Sequence, residues 1–485
     1  MTHPNPHHER RWAILAILGI AQLMVVLDAT IVNIALPSAQ RALHFSNDNR
    51  QWIVTAYSLA FGSLLLLGGK ISDLFGRKWT FIAGLAGFAL ASALGGASQS
   101  FAMLTAARTL QGAFGALLAP AALSLLTTTF TEASERNKAF GIYGAIAGSG
   151  ASIGLLLGGV LTQYLSWRFS MYVNLVFAIG AIAGALTLLH NQAPAHKPRI
   201  DMPGVVTVSL GLFALVYGFN HAQTTSWGDS VTIAVLATGV VLLAAFGAIE
   251  RRVAHPLLPL RVVLDRNRGA SFISMGLAAA AMFGVFLFLT YYLQESRGYS
   301  PVTTGLAFLP MTAVIMVTAV LATTKLRAHF GPRPLVFTGM TLGAIAMLML
   351  SGLTLTSTYA DAILPALLIM GVGLGLVFST AMNNATLGVA PTDAGVASAT
   401  VNASQQVGGS LGTALLSTLA ASAATSYVAG QRPTPALIAH AAVHGYTTAF
   451  TVSAGIFALA AVVAGVLFAG KEDVPVPAGE PIPVA

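Results

Sequence analysis

The chain carries the stretch Gly69-Lys70-Ile71-Ser72-Asp73-Leu74-Phe75-Gly76-Arg77-Lys78 between two long apolar runs, at roughly 51–68 and 79–98. We predict that it is a tight turn between two membrane helices, because glycines let a backbone turn and approach its neighbours closely. Lys70, Arg77 and Lys78 make the turn positive, and Asp73 is its one acid, in a chain where only 8% of residues are charged. The stretch therefore indicates a basic connection in a polytopic membrane protein.

The composition of the whole chain supports this class of protein. Its 485 residues are 55% hydrophobic with a mean hydropathy of +0.77, and water would face a large apolar surface if the chain were soluble. The absence of cysteine excludes disulfides, thiolate metal sites and a cysteine nucleophile. The net charge of +8 lies in short turns between apolar runs, so it favours membrane orientation over nucleic-acid binding.

Fourteen apolar runs have about the 20-residue length that crosses a hydrocarbon core, so we predict an all-α integral membrane protein. Eighteen of the 24 Lys and Arg residues fall on one side of these spans, five on the other, and Arg108 alone inside a span. By the positive-inside rule both termini are cytoplasmic. The predicted spans are 12–36, 51–69, 79–98, 102–128, 138–164, 168–189, 202–220, 230–250, 270–293, 303–324, 335–354, 361–387, 394–423 and 446–469.

A weak internal repeat divides these spans into two related groups. The stretch 325–333 repeats the pattern of 70–78, with Ala328 in the position of Asp73. We therefore predict two six-helix halves with two helices inserted between them. The predicted segments are an N-terminal bundle at 1–190, two inserted helices with cytoplasmic linkers at 191–268, a C-terminal bundle at 269–470 and a disordered proline-rich tail at 471–485.

The basic turn resembles the loop between helices 2 and 3 of the major facilitator superfamily, whose pattern is roughly G-x-L-[SA]-D-x-x-G-R-[KR]. Ile71 is the departure, standing where leucine is usual. The resemblance implies the major facilitator fold, with halves that rock about a substrate site near the middle of the membrane. It also implies a cytoplasmic gate motif that latches the two halves, formed here by Gly69, Asp73, Gly76, Arg77 and Lys78.

The first span contains an acid in an apolar helix, in Leu27-Asp28-Ala29-Thr30-Ile31-Val32-Asn33-Ile34-Ala35-Leu36-Pro37. A charge at the centre of a membrane helix costs about 2.5–3.5 kcal/mol on insertion scales. The run is similar to the L-D-x-T-[IV]-V-N-[VI]-A-L-P signature of the fourteen-span drug:proton antiporter branch. That resemblance implies that Asp28 carries the coupling proton. The alternative is a structural acid that caps or bends the helix.

Arg108 lies in a run, residues 104–112, that resembles the family motif R-x-x-Q-G. At a rise of 1.5 Å per residue, Arg108 lies about 9 Å and Asp28 about 12 Å below the same membrane surface. We therefore predict that both line one cavity and that Arg108 modulates the proton affinity of Asp28. The alternative is an arginine that snorkels to the surface.

The fifth span carries a ridge of glycines that permits close contact between helices. The family's exporter pattern there ends G-P-x-[LI]-G-G, and the resemblance implies export; Leu155 stands in the position of the proline, so we expect a straighter helix. The glycines assigned to this packing and antiport motif are Gly144, Gly148, Gly154, Gly158 and Gly159.

A pocket for an organic substrate is mostly apolar with a few polar groups. The residues predicted to line it are Asn33, Gln51, Tyr57, Gln111, Met282, Phe286, Tyr291, Asn383, Asn384 and Gln405. For the aromatic residues and the methionine, packing against helices or lipid is the alternative. Because Asp28 is the one predicted deep carboxylate, the substrate should be a monocationic or neutral lipophile.

The sequence thus predicts a proton-coupled exporter of lipophilic drugs or antibiotics in a bacterial cytoplasmic membrane. We expect a monomer that needs protons and the lipid bilayer but neither metal, other cofactor nor nucleic acid, and we expect no enzymatic activity. Two alternatives stay open: a proton-coupled uptake symporter for a small nutrient, and a lipid or glycolipid flippase of the same fold.

Overall fold

The computed structural model describes residues 10–45, 47–190, 201–253, 256–389, 393–432 and 434–469, and these are almost entirely helical. The predicted tail, 471–485, lies outside the described residues. The N-terminal half consists of α1 (Arg11–Leu43), α2 (Asn47–Phe75), α3 (Arg77–Gly96), α4 (Phe101–Thr129), α5 (Ala133–Tyr164) and α6 (Phe169–Leu188). The two inserted helices are α7 (Met202–Thr224) and α8 (Ser230–Glu250).

The C-terminal half follows a short helix, α9 (Leu260–Val263). Its helices are α10 (Arg266–Gly284), α11 (Pro301–Leu321), the short α12 (Arg327–Phe330), α13 (Pro332–Ser351), α14 (Leu364–Thr386), α15 (Ala394–Val428) and α16 (Pro435–Leu467). Wider π-type turns extend α10 at Val285–Leu289 and Tyr292–Ser296, extend α11 at Ala322–Leu326, and lead into α14 at Tyr359–Ile363.

Thirteen helices within the described residues are long and apolar enough to cross a membrane. The remaining long helix is α5, which has 32 residues, includes the shorter apolar segment Ile153–Tyr164, and packs against both α1 and α11. Together they form the all-α membrane architecture that the sequence predicts.

The repeat suggested by the two basic stretches is visible in the packing of helices. In the N-terminal half α2 and α3 pack on α4, α1 packs on α5, and α3 and α1 pack on α6. In the C-terminal half the same relations join α11 and α13 to α14, α10 to α15, and α13 and α10 to α16. The halves meet along two seams, one between α5 and α11 and the other between α2 and α15.

The inserted helices lie at the second of these seams. Helix α7 packs against both α2 and α15, whereas α8 packs mainly on α7. Two side-chain hydrogen bonds support this position: Thr55 Oγ1 donates to Asn220 Oδ1 at 3.0 Å, and Trp227 Nε1 donates to Thr418 Oγ1 at 3.3 Å. The insertion therefore contacts both halves.

The connection at 69–78 is shorter than the sequence predicts. Helix α2 continues to Phe75 and α3 begins at Arg77, so Gly76 alone forms the turn, with φ 90°. That left-handed value strains any residue with a Cβ, which explains the glycine. The other residues of the stretch belong to the ends of α2 and α3. Long charged side chains can reach water from a helix end at the membrane surface, so the backbone there can stay helical. We call this side of the bundle the basic end and the opposite side the distal end.

Candidate functional site

A buried ion pair lies inside the N-terminal half. Asp28 of α1 is 0% exposed, and its Oδ2 accepts a hydrogen bond from Arg108 Nη1 of α4 at 2.5 Å. The other carboxylate oxygen, Oδ1, accepts from Gln111 Nε2 at 2.9 Å and from Asn174 Nδ2 of α6 at 2.7 Å. The carboxylate therefore accepts hydrogen bonds from three side chains, which come from α4 and α6.

The arginine of this pair is equally enclosed. Its guanidinium donates from Nε to the backbone oxygen of Ile53 at 3.3 Å and from Nη1 to Gln111 Oε1 at 2.9 Å. The ring of Tyr57 lies 4.4 Å from its centre, a cation–π contact. A buried charge pair of this kind recovers its desolvation cost only through such additional contacts. Arg108 is thus a member of the site and not a snorkelling surface residue.

Two side chains of the site were not predicted from the sequence. Asn174 belongs to the Tyr172-Val173-Asn174 run of α6, where an amide in an apolar helix is a usable signal. Ser92 of α3 accepts hydrogen bonds from Gln111 Nε2 at 2.7 Å and Asn174 Nδ2 at 3.2 Å. Its hydroxyl gives no such signal, because a serine satisfies itself easily within a helix.

A small apolar cleft reaches this site from the distal side. Its lining is contributed by α1, α2, α4, α6 and the turn before α6, and Arg108 is its one charged member. The lining residues are Val32, Ala35, Leu36, Ala39, Ile53, Leu104, Arg108, Trp167 and Met171. The four lining residues of α1 follow Asp28 toward the distal end, and Arg108 lines the cleft whereas Asp28 does not.

The glycine ridge of α5 brings that helix against α1 at the level of Asp28. An added Cβ on Gly154 would lie 2.0 Å from Thr30 Oγ1 and 3.2 Å from Leu27 O, and one on Gly158 would lie 2.8 Å from Ile31 Cγ1. Gly144 faces Ser379 of the other half, and Gly159 is buried. Gly148 lies outside the described side chains.

The basic motif makes contacts within its own half. Asp73 and Arg77 form an ion pair at 3.7 Å, four residues apart. Lys78 Nζ donates to the backbone oxygens of Leu186 and Leu189 at 3.1 and 2.6 Å, so it neutralises the carbonyl end of α6. Gly69 is buried near the end of α2.

Side chains of opposite halves meet at the basic end. Asn383 Nδ2 of α14 donates to Asn137 Oδ1 of α5 at 2.7 Å, and Arg136 Nη2 of α5 donates to Thr386 O at 2.8 Å. Beside these contacts, within the C-terminal half, Arg327 Nη2 donates to Asn384 Oδ1 at 2.6 Å. Burial, together with the nearby charge of Arg136, lowers the pKa of Arg327 to about 10. The two guanidinium groups therefore repel each other across a closed interface.

The predicted substrate-cavity residues fall into separate groups. Tyr57 and Gln111 belong to the Asp28 site, and Asn383 and Asn384 belong to the contact between the halves at the basic end. The side chains of Asn33 and Gln51 lie outside those described. The remaining four are half-buried in the C-terminal half, where Phe286 packs on Phe308 and Tyr291 on Tyr446: Met282, Phe286, Tyr291 and Gln405.

The two repeated six-helix halves, together with an ion pair enclosed at membrane depth, define a polytopic transporter of the secondary type. A family profile described as Major Facilitator Superfamily matches residues 18–413. The chain belongs to this superfamily.

Three relatives and one solved structure are similar to this chain over most of its length. Puromycin resistance protein pur8 of Streptomyces alboniger is 47% identical over 97% of this chain and 93% of its own length. The cephamycin export protein CmcT of Amycolatopsis lactamdurans is 38% identical over 84% of this chain and 85% of its own length. The lincomycin resistance protein of Streptomyces lincolnensis is 34% identical over 84% of this chain and 83% of its own length. The crystal structure of the human organic anion transporter MFSD10 (TETRAN) matches with a TM-score of 0.65 and 15% identity, over 94% of this chain and 99% of that one, a likeness of fold.

Proposed function

We propose that this protein exports lipophilic antibiotics from a bacterial cell by exchange for protons, with alternating access to one central site. The observation that carries the proposal is the pairing of Asp28 with Arg108 inside the N-terminal half. Burying a carboxylate at the depth of the membrane costs free energy, and a residue needed only for packing would not be an acid. Relatives of similar length that are named for antibiotic resistance or export supply the direction of transport.

The coupling step follows from the contacts of the carboxylate. In the arrangement described, the carboxylate of Asp28 is held by three side-chain donors. A proton that arrives through the distal cleft neutralises the carboxylate and releases Arg108 from its attraction. Because α1 also packs on α5 at Gly154, the change at Asp28 reaches a helix that lies on the seam between the halves. Release of the proton toward the cytoplasm resets the pair.

The basic end is proposed to be cytoplasmic, with both termini there, in a bacterial cytoplasmic membrane. The bonds of Arg136 and Asn383 across the interface would then close the cytoplasmic side, giving an outward-facing or occluded form. A membrane potential of 100 mV supplies about 2.3 kcal/mol per charge, which supports accumulation by tens-fold per proton. Asp73 and Arg77 would tie α2 to α3 during this closure, and one copy of the chain would suffice for the cycle.

The substrate is proposed to be a monocationic or neutral lipophile that binds between the halves. Half-buried side chains of the C-terminal half would contact it: Met282, Phe286, Tyr291 and Gln405. Puromycin is the first compound to test, since the relative at 47% identity carries its name. The chain would require no metal or organic cofactor for this cycle.

Transport into everted membrane vesicles tests the proposal. With an imposed proton gradient, vesicles that contain the wild-type chain should take up puromycin and release it when a protonophore is added. Asp28→Asn should abolish uptake while the protein reaches the membrane in equal amount. Asp361→Asn is the matched control, because that carboxylate is exposed and bonds only locally to Thr358. Full gradient-driven uptake by Asp28→Asn would refute the assignment.

A further inference from the structure

A second pair of acids is buried away from Asp28, where the two inserted helices end at the basic side. Asp201 precedes α7 and is 8% exposed, and Glu250 ends α8 and is 5% exposed. Gly204 Cβ, if it existed, would lie 2.3 Å from Asp201 Oδ2 and 2.8 Å from Glu250 Oε1. Both oxygens therefore lie beside Gly204, on the side where a larger residue would carry its Cβ.

One oxygen of this pair lacks a hydrogen-bond donor. Asp201 Oδ1 accepts from the backbone N–H of Gly204 at 3.1 Å, but the buried Oδ2 meets no donor among the described residues. Both oxygens of Glu250 accept backbone hydrogen bonds, Oε1 from Leu257 N at 3.2 Å and Oε2 from Leu258 N at 2.9 Å. A buried acceptor that faces a second carboxylate is unfavourable unless a proton lies between them.

Among the described residues, no Lys or Arg side chain pairs with Asp201 Oδ2. Arg251 and Arg252, which follow Glu250, are exposed, and Arg261 of α9 is paired with Asp393 at 2.7 Å. Of the charged groups in the described residues, Asp201 is the one that acts electrostatically on Glu250. A proton is the smallest ligand that satisfies both carboxyl groups.

We propose that Asp201 and Glu250 form a proton-binding site of the inserted helices, in which the two carboxyl groups share one proton. The proton comes from water at the basic end and lies between Asp201 Oδ2 and Glu250 Oε1. Glu250 in turn holds Leu257 and Leu258 of the linker that leads to α10. Loss of the proton places two negative charges side by side. The pH at this end therefore controls how firmly Glu250 holds the linker at Leu257 and Leu258.

Infrared spectroscopy of the purified full-length protein tests the shared proton directly. At a pH about one unit above the titration of free carboxyl groups, the wild type should show a carbonyl stretch of a protonated carboxylic acid that Asp201→Asn removes. Asp229→Asn is the matched control, because Asp229 also caps a helix, by accepting from Thr232 N at 3.0 Å, but no carboxylate within the described parts of the chain faces it. Glu250→Gln serves as the second variant and should remove the same band.

Thermal unfolding at pH values from about 4, where free carboxyl groups titrate, upward supplies the second measurement. The native pair holds a proton that the unfolded chain has lost, so wild-type stability should fall as pH rises through the titration of the pair, by up to tenfold in the unfolding constant per pH unit. Asp201→Asn should remove this slope, because its amide donates permanently to Glu250. An unchanged band in both variants, or an unchanged slope in Asp201→Asn, would overturn the proposal. These readouts do not involve transport.

Discussion

Arg136 of α5 donates a hydrogen bond to the backbone oxygen of Thr386, the last residue of α14, at 2.8 Å. A side chain of the N-terminal half thus holds the carbonyl end of a helix of the C-terminal half, where a positive charge is favourable. Any rocking of the halves that opens the basic end must break this bond.

We predict that Arg136→Gln opens the basic end more often. Because the chain has no cysteine, Ser379→Cys introduces a single thiol, and Ser379 is buried where Gly144 of the other half packs. Labelling of that thiol by a maleimide should become several-fold faster when Arg136→Gln is added. The measurement is the labelling rate of the purified double variant against Ser379→Cys alone.

The matched control for this prediction is Arg266→Gln. Arg266 also donates to carbonyls at a helix end, those of Leu467 and Val466 at 2.9 and 3.2 Å, but both lie in its own half. Its loss should leave the labelling rate unchanged. Equal rates in the Arg136 variant and in this control would show that the bond does not limit opening.

A second prediction concerns the energy of the buried pair. Arg108→Ala should destabilise the protein by about 3–5 kcal/mol, since it leaves the carboxylate of Asp28 buried without its cation. Adding Asp28→Asn should restore part of that loss, because no charge then remains in the site. Thermal unfolding of both single variants and the double variant gives the coupling energy. Additive losses would mean that the two side chains do not interact.

A third prediction separates the amide donors from the arginine. Asn174→Ala removes one hydrogen bond to the charged form of Asp28, so the proton should bind more readily and the alkaline limb of the transport pH profile should move to higher pH. The profile of gradient-driven uptake in vesicles measures this shift. Thr187→Ala on the same helix, whose hydroxyl bonds locally to Ala183 O, should leave the limb in place. A limb that moves to lower pH would contradict the role of Asn174 as a donor to the carboxylate.

The sequence predicts the architecture well because membrane crossing depends on length and apolar composition alone. It also singles out Asp28, Arg108 and Gln111, since ionised groups and amides are costly in an apolar helix. Depth along a helix follows from its rise per residue, so the similar depth of the acid and the arginine could be worked out. Their contact depends on rotation about the helix axes, which apolar patterns do not encode when core and lipid are both apolar.

Because apolar patterns do not encode helix rotation, the sequence also did not predict the partners of the buried amides. The burial of Asn383 and Asn384 follows from the cost of an unpaired amide, but their partners are Asn137 and Arg327 at the interface between the halves, which no local pattern indicates. Helix ends are equally hard to place: the first span is predicted to end at residue 36, whereas α1 continues to Leu43. Tertiary packing extends helices beyond the apolar run that marks them.

The last prediction tests whether close packing of α5 on α1 supports the site. Gly154→Ala should reduce both stability and gradient-driven transport, because the new methyl group would lie 2.0 Å from Thr30 Oγ1 and 3.2 Å from Leu27 O, next to Asp28. Overpacking of this kind costs about 1–3 kcal/mol. Gly180→Ala on α6 is the control, since nothing lies within 4 Å of its Cβ position, and alanine should there favour the helix by up to about 1 kcal/mol. Thermal midpoints and uptake rates of the two variants decide the matter: if Gly154→Ala matches Gly180→Ala in both, α5 does not constrain the helix that carries the acid.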